Sequence, residues 1–208
     1  MATRHYVPIF PLPDLALFPN TLLPLHIFEP RYRAMVTDAL ARDRRLAIVG
    51  LKPGYEGDYA GHPAVHEVAG LGRIVKCERM ATGRFNLLLK GELRVRIERE
   101  LPSDTLYRLV QSVELQDSGA ERASVPALLD EVKRACRRIL EMVRRATPEM
   151  EETLAAAVAP GVLCDQVASA VVPSPAARQA LLEELDVERR LRRLLAELQD
   201  LLQQLKGR

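Results

Sequence analysis

The 208-residue sequence has no tryptophan, and none of its nine Phe and Tyr residues (Tyr6, Phe10, Phe18, Phe28, Tyr32, Tyr55, Tyr59, Phe85 and Tyr107) lies beyond position 107. The last 101 residues therefore offer no ring on which a nucleic-acid base could stack. Cysteine is scarce: Cys77, Cys136 and Cys164 are odd in number, far apart and form no CxxC pair. That excludes a disulfide framework and fits reduced, packed thiols in a cytoplasmic protein. There are four histidines, of which His62 and His66 have the i, i+4 spacing of two ligands on a helix face. Pro63 and the neighbouring glycine favour a loop, and no third ligand stands at motif spacing, so neither metal nor cofactor is expected. Charge excess is absent as well: 30 Lys and Arg face 28 Asp and Glu, a net charge of +2. This argues against a dedicated DNA-wrapping protein or one built for acidic substrates.

Long apolar runs are missing. The uncharged stretch Leu15 to Phe28 has 14 residues and is interrupted by Pro19 and Pro24. A bilayer span takes about 20 residues, and no small-residue cleavage site follows, so the expectation is a soluble cytoplasmic protein without membrane attachment. No GxxxxGK[ST], GxGxxG or GxSxG motif occurs. With no acid–base pair or activated nucleophile to assign, the chain is not expected to be an enzyme.

What is present divides the chain in two. Nine of the 11 glycines lie in the first 120 residues, and six of the 14 prolines in the first 30. Proline fixes φ and lacks the N–H of a sheet ladder, so His5–Phe10 reads as a short edge strand, followed by an apolar wrap through Leu25–Phe28. Pro30 can open a helix, and Arg31–Arg42 places Tyr32, Met35, Val36, Ala39 and Leu40 on one face. Leu46–Leu51 reads as a strand, Tyr55–Pro63 as a loop, and Val65–Glu78 as a strand bent at Gly70 and Gly72. Thr82-Gly83 turns into a strand Phe85–Lys90, and a separate strand after Gly91 alternates Leu93, Val95 and Ile97 with charged residues. Tyr107–Leu115 closes the series with Tyr107, Leu109, Gln111, Val113 and Leu115 on one side. The expected fold class is α+β: a small twisted sheet or β-barrel with one helix over 1–118, then a helical bundle over 119–208.

The second part is rich in Ala, Leu, Glu and Arg, with helices expected at about 125–145, 148–158, 162–171, 175–185 and 187–206. Asp186 is a candidate N-cap. In the last helix Val187, Leu191, Leu194, Leu198, Leu201 and Leu205 form a heptad seam, widened by Leu195 and Leu202. The seam packs on the bundle or, in a weak homo-oligomer, between chains. Lys133, Arg134, Arg137, Arg138, Arg144 and Arg145 make one basic stripe, and Arg189, Arg190, Arg192 and Arg193 another. Residues 121–208 hold 14 basic and 14 acidic residues, so both stripes read as solvated helix faces rather than nucleic-acid sites.

The first 35 residues carry a distinctive pattern: Pro11-Leu12, Leu17-Phe18-Pro19, Pro24-Leu25, Ile27-Phe28-Glu29, Arg31-Tyr32 and Met35. With Gly70-Leu71-Gly72-Arg73-Ile74, the Gly83–Gly91 hairpin, Arg94–Ile97, Gln179–Glu183 and Asp186–Leu191, it resembles the Lon protease N-terminal domain family, in order along nearly the whole chain. The resemblance implies a PUA-like β-barrel followed by a helical bundle, in a bacterial-type domain that helps hold unfolded or tagged substrates and supports hexamer assembly. The family's ATPase and Ser-Lys protease motifs are not found in this sequence, so a stand-alone substrate-binding protein without proteolytic activity is expected. Its partners would be unfolded polypeptide and a protein partner, a full-length protease among the candidates, in an adaptor role in protein quality control. Phe18, Leu25, Phe28, Glu29, Arg31 and Arg33 are the candidate contacts, the apolar ones by burial and the charged ones by setting register. The alternative is RNA binding, for which Arg73, Lys76, Arg79, Arg84, Arg94 and Arg96 must share one face.

Overall fold

The computed structural model describes residues 3–57, 61–144, 147–156 and 158–207; Tyr59 and Arg145 lie outside the described residues. The chain forms two compact units, Met1–Leu115 and Gln116–Arg208.

The first unit contains strands β1 (Arg4–Leu12), β2 (Leu22–Ile27), β3 (Arg45–Gly50), β4 (Val68–Arg79), β5 (Phe85–Leu101) and β6 (Leu109–Leu115), with helix α1 (Pro30–Leu40) between β2 and β3. Their order is β2-β5-β4-β3-β1-β6, and β6 also pairs with β5. Five strands thus close on themselves, and β2 is left outside the ring.

Strand β1 is longer than expected and is not an edge. Arg4–Pro8 pairs antiparallel with β6 and Ile9–Leu12 pairs parallel with β3. The register passes from β6 to β3 at Ile9, whose N–H still donates to the Arg108 carbonyl at 3.0 Å, so Pro8 and Pro11 each face one ladder partner only and their missing N–H is accommodated. The anticipated wrap before Phe28 is itself a strand, β2, bonded antiparallel along β5. The two strands expected on either side of Gly91 are one strand of 17 residues. Its first half pairs with β2 and its second with β6, while β4 runs along both halves with register shifts at Leu71/Gly72 and Ile74/Lys76.

Both faces of β6 take part in packing: Val110 and Ser112 are buried on one, while Leu109, with Tyr107 just before the strand, packs in the α1-side core. Ser112 is the polar one of the two buried residues. Its hydroxyl donates to the His5 carbonyl at 3.4 Å, and Val110 joins Val7, Ile9 and Val95 in one core cluster. A second cluster, on the face covered by α1, gathers Phe10, Leu17, Tyr32, Met35, Val36, Leu46, Ile48, Ile74, Phe85 and Leu89. β3 contributes to both, Leu46 and Ile48 to one and Ala47 and Val49 to the other, which explains its unbroken apolar run.

The second unit holds α2 (Val125–Met142), α3 (Pro148–Ala155), α4 (Pro160–Val171), α5 (Pro175–Glu183) and α6 (Val187–Lys206). Asp186 caps α6, its carboxylate accepting from the Arg189 N–H at 3.0 Å. The buried stripe of α6 is Val187, Arg190, Leu191, Leu194, Leu198 and Leu202. It packs against α2 and α4 and ends on Leu202 rather than Leu201, because an unsupercoiled helix of 3.6 residues per turn drifts off a 3.5 repeat. Arg190, expected on a solvated face, is fully buried. Its guanidinium donates to both carboxylate oxygens of Asp117, at 2.9 and 2.5 Å, and to the Glu184 carbonyl at 2.8 Å, with Asp165 3.4 Å from Nε. Among the described residues no helix is long and apolar enough to cross a membrane.

Candidate functional site

Strand β2 alternates as a half-buried strand must. Leu23, Leu25 and Ile27 turn toward the core, and Leu22, Pro24 and His26 toward solvent. Among the described residues β2 has a ladder partner on one edge only, β5. Pro24 marks it as an edge strand, since proline removes a donor that an inner strand would need. Leu22 is 57% and Phe28 58% exposed, with Val75 also exposed on the register irregularity of β4. Phe28 stacks with His26 at a ring separation of 6.2 Å, and His26 Nδ1 lies 2.8 Å from Asn86 Oδ1. The outer face of β2 is thus apolar at both ends and pinned in the middle.

At Pro30 the chain enters α1. Glu29 occupies the N-cap position, but its carboxylate binds the Arg31 side chain at 3.1 Å instead of capping the helix. The Arg31 guanidinium lies 4.6 Å over the Tyr32 ring, which in turn packs on Phe10 at 4.2 Å. Arg31 and Tyr32 line a cleft of about 630 Å³ together with Ile9, Pro11, Leu51, His62 and the β5–β6 connection from Glu100 to Leu109. Clefts of this size accommodate small ligands or one or two side chains of a peptide. On its wall Arg108 pairs with both oxygens of Glu100 and also donates to the Pro63 carbonyl at 2.9 Å, while His62 lies 3.2 Å from Glu100. The hydrogen bond from Arg108 holds the Glu100 carboxyl below its ordinary range.

At the back of the cleft the Tyr107 hydroxyl donates to Asp38 at 2.7 Å. Burial, then that hydrogen bond, pushes the Tyr107 phenol from 10 up to about 12. The native state therefore holds this proton where the unfolded chain releases it, and the contribution to stability is complete below pH 10 and lost as pH rises toward about 12. Tyr107→Phe is expected to flatten that alkaline decline, as read by denaturant midpoints across the range. A midpoint that falls equally in both proteins would show that Tyr107 is not responsible.

A family model described as the ATP-dependent protease La (LON) substrate-binding domain matches residues 6–200. The chain belongs to this family. The Lon protease of Desulfosudis oleivorans is 25% identical over 200 residues, covering 96% of this chain and 24% of that protein. Lon protease 2 of Myxococcus xanthus is 27% identical over 190 residues, covering 91% of this chain and 23% of the relative. The chain thus spans about a quarter of the length of these relatives. The N-terminal domain of a Mycobacterium avium complex Lon protease superposes with a TM-score of 0.76 at 22% identity, over 94% of this chain and 99% of that one. The Lon N-terminal domain protein of Xanthomonas campestris gives 0.67 at 24% identity, over 92% and 98%. These superpositions establish the α+β fold.

In this Lon substrate-binding domain the six anticipated contacts separate into three groups. Phe18 is 0% exposed, with the Arg94 guanidinium 6.0 Å from its ring, so a surface ligand does not reach it. Leu25 points inward from β2 onto the α1-side core. Phe28, Glu29, Arg31 and Arg33 lie together at the β2–α1 junction, with Phe28 exposed, Arg31 on the cleft and Arg33 on a second recess. Leu22 and the β5–β6 connection lie outside the six residues read from the sequence; the alternation of Leu22, Pro24 and His26 points to the exposure of the first. The six residues proposed for RNA share no exposed face, since Arg94 is buried and Arg73 is engaged by Glu92 at 2.7 Å and by the Asp43 carbonyl at 2.8 Å. Among the described residues no cluster of three or more His, Cys, Asp or Glu could hold a metal ion.

Proposed function

We propose that this Lon-family domain is a non-enzymatic binding module that holds apolar segments of unfolded polypeptide against the outer face of β2. It would serve in the cytoplasm as an adaptor in protein quality control, passing bound chains to a partner such as a full-length protease. The observation that carries the reading is the pair of large apolar side chains held more than half exposed, Leu22 at the start of the free-edged strand and Phe28 just past its end. Burying a Leu or Phe side chain fully contributes about 1.5–3 kcal/mol. Covering the exposed half of each is therefore worth about 1 kcal/mol or slightly more, close to a tenfold change in affinity. Glu29 and Arg31, paired at the end of the patch, bound it with charge and set the register of what it binds.

The test is fluorescence anisotropy with a labelled, chemically unfolded protein. The wild-type domain is expected to bind it far better than albumin does. Leu22→Asp with Phe28→Asp should weaken binding at least tenfold with little change in melting temperature, because both side chains are already solvated. Binding no better than albumin, or unchanged in the double variant, overturns the reading.

A further inference from the structure

Close to the apolar patch, the same end of the sheet brings two cations to one recess. Ile27 at the end of β2 is the register partner of Phe85, and Phe85 that of Arg79 at the end of β4. The β4–β5 hairpin therefore meets the β2–α1 junction, and between them lies a recess of about 260 Å³ lined by Pro30, Arg33, Ala34, Thr37, Arg79, Gly83 and Phe85. Two guanidinium groups, one from the helix and one from the sheet, border it.

Each guanidinium lies beside an apolar or side-chain-free surface. The Arg33 guanidinium lies over the hairpin where Gly83 has no side chain: a Cβ there would come within 2.5 Å of its Nη2. The φ of +75° at Gly83 makes glycine the fitting residue on backbone grounds as well. The Arg79 guanidinium stands 5.8 Å from the Phe85 ring. Five arginines of this unit are paired with carboxylates: Arg4 with Glu98, Arg31 with Glu29, Arg45 and Arg73 with Glu92, and Arg108 with Glu100. Among the described residues neither Arg33 nor Arg79 has a carboxylate partner. The nearest acids in sequence are committed or turned away. Glu29 holds Arg31, and Glu78 precedes Arg79 in β4, so strand alternation sends it to the opposite face.

We infer that this recess is an oxyanion site that takes the carboxylate of an Asp or Glu side chain neighbouring the apolar residues of a bound polypeptide. The inference rests on the proposed binding of apolar segments at β2 and narrows it to segments with an acidic flank. Two planar guanidiniums present forked donors that match a carboxylate.

Two labelled peptides separate this inference from the reading beneath it. Both carry the same Leu- and Phe-containing core, one flanked by Glu and the other by Gln. The Glu peptide is expected to bind about tenfold more tightly at low ionic strength, with the advantage shrinking as salt screens it. In Arg33→Gln with Arg79→Gln that advantage should disappear while the Gln peptide binds as before, which also reports that the variant is folded. Equal affinities for the two peptides, or a preference that survives both substitutions, overturn the acidic site and leave the apolar reading standing. Failure of both peptides to bind the wild-type protein overturns the two together.

Discussion

Replacing Arg190 with alanine is expected to destabilise the helical unit by about 3–5 kcal/mol, enough to unfold it or bring it close to unfolding. Burial opposes the charge of Arg190, yet the hydrogen bonds to Asp117 and the attraction of Asp165 outweigh it and hold the side chain protonated well above its usual range. The cluster is tightly enclosed: a Cβ on Gly161, in the first turn of α4, would lie 2.8 Å from Asp117 Oδ2 and 2.9 Å from Arg190 Nη2. Removing the cation takes away the counter-charge that lies 3.4 Å from Asp165, itself buried, and releases the Glu184 carbonyl from the 2.8 Å bond that secures the α5–α6 connection. Loss of the cation is more costly than the pair's net contribution, because the carboxylates stay desolvated after their counter-charge is gone. Denaturant unfolding followed by helical circular dichroism measures the effect. The partner control is Arg192→Ala, which removes a solvated i, i+4 pair with Glu188 and should shift stability by no more than about 0.5 kcal/mol. Similar losses in the two variants would refute the special position of Arg190.

That arginine also shows where the sequence ceases to be readable. The pattern of α6 was legible because a straight helix buries residues at a period its leucines reveal, and the Asp186 cap because its chemistry is local. Arg190 stands among Arg189, Arg192 and Arg193 and looks like part of the same solvated cluster. Its burial depends on Asp117 and Asp165, 73 and 25 positions away, and no local pattern encodes that meeting. The sheet behaves in the same way. β3 and the α1 face follow from runs and spacing, whereas the burial of Ser112 in β6 depends on the His5 carbonyl across the sheet, 107 positions away. At the candidate site Phe28, Glu29, Arg31 and Arg33 could be named together because they are neighbours in the chain. Arg79 joins them only through the pairing of β2, β5 and β4, and Phe18 leaves them because its ring fills the core.

The second large effect is expected at the glycines beneath Phe18. Gly91→Ala should cost about 3 kcal/mol, at the upper end of what overpacking costs, and Gly70→Ala a similar amount. An added Cβ would stand 2.0 Å from the Phe18 carbonyl oxygen at position 91, and 1.9 Å from that of Leu17 at position 70. A flexible side chain could swing aside, but these obstacles are main chain, so the whole segment has to lift from the sheet. The segment is also tied to Gly91 directly: the Asn20 N–H donates to the Gly91 carbonyl and the Gly91 N–H to the Thr21 carbonyl, both at 2.9 Å. The Thr21 hydroxyl closes the turn on the Phe18 carbonyl at 2.7 Å. Lifting Leu17 and Phe18 therefore displaces Thr21 and with it the start of β2, where Leu22 forms one end of the apolar patch. Gly91→Ala is expected to lower both the unfolding midpoint and the affinity for unfolded polypeptide, whereas Leu22→Asp lowers the affinity alone. Gly57→Ala, which adds its methyl to open space, should change neither. If Gly91→Ala kept its midpoint but lost binding, the glycine would act in recognition directly; if it kept both, the proline-rich segment would not be seated on β4 and β5 as the carbonyl contacts require.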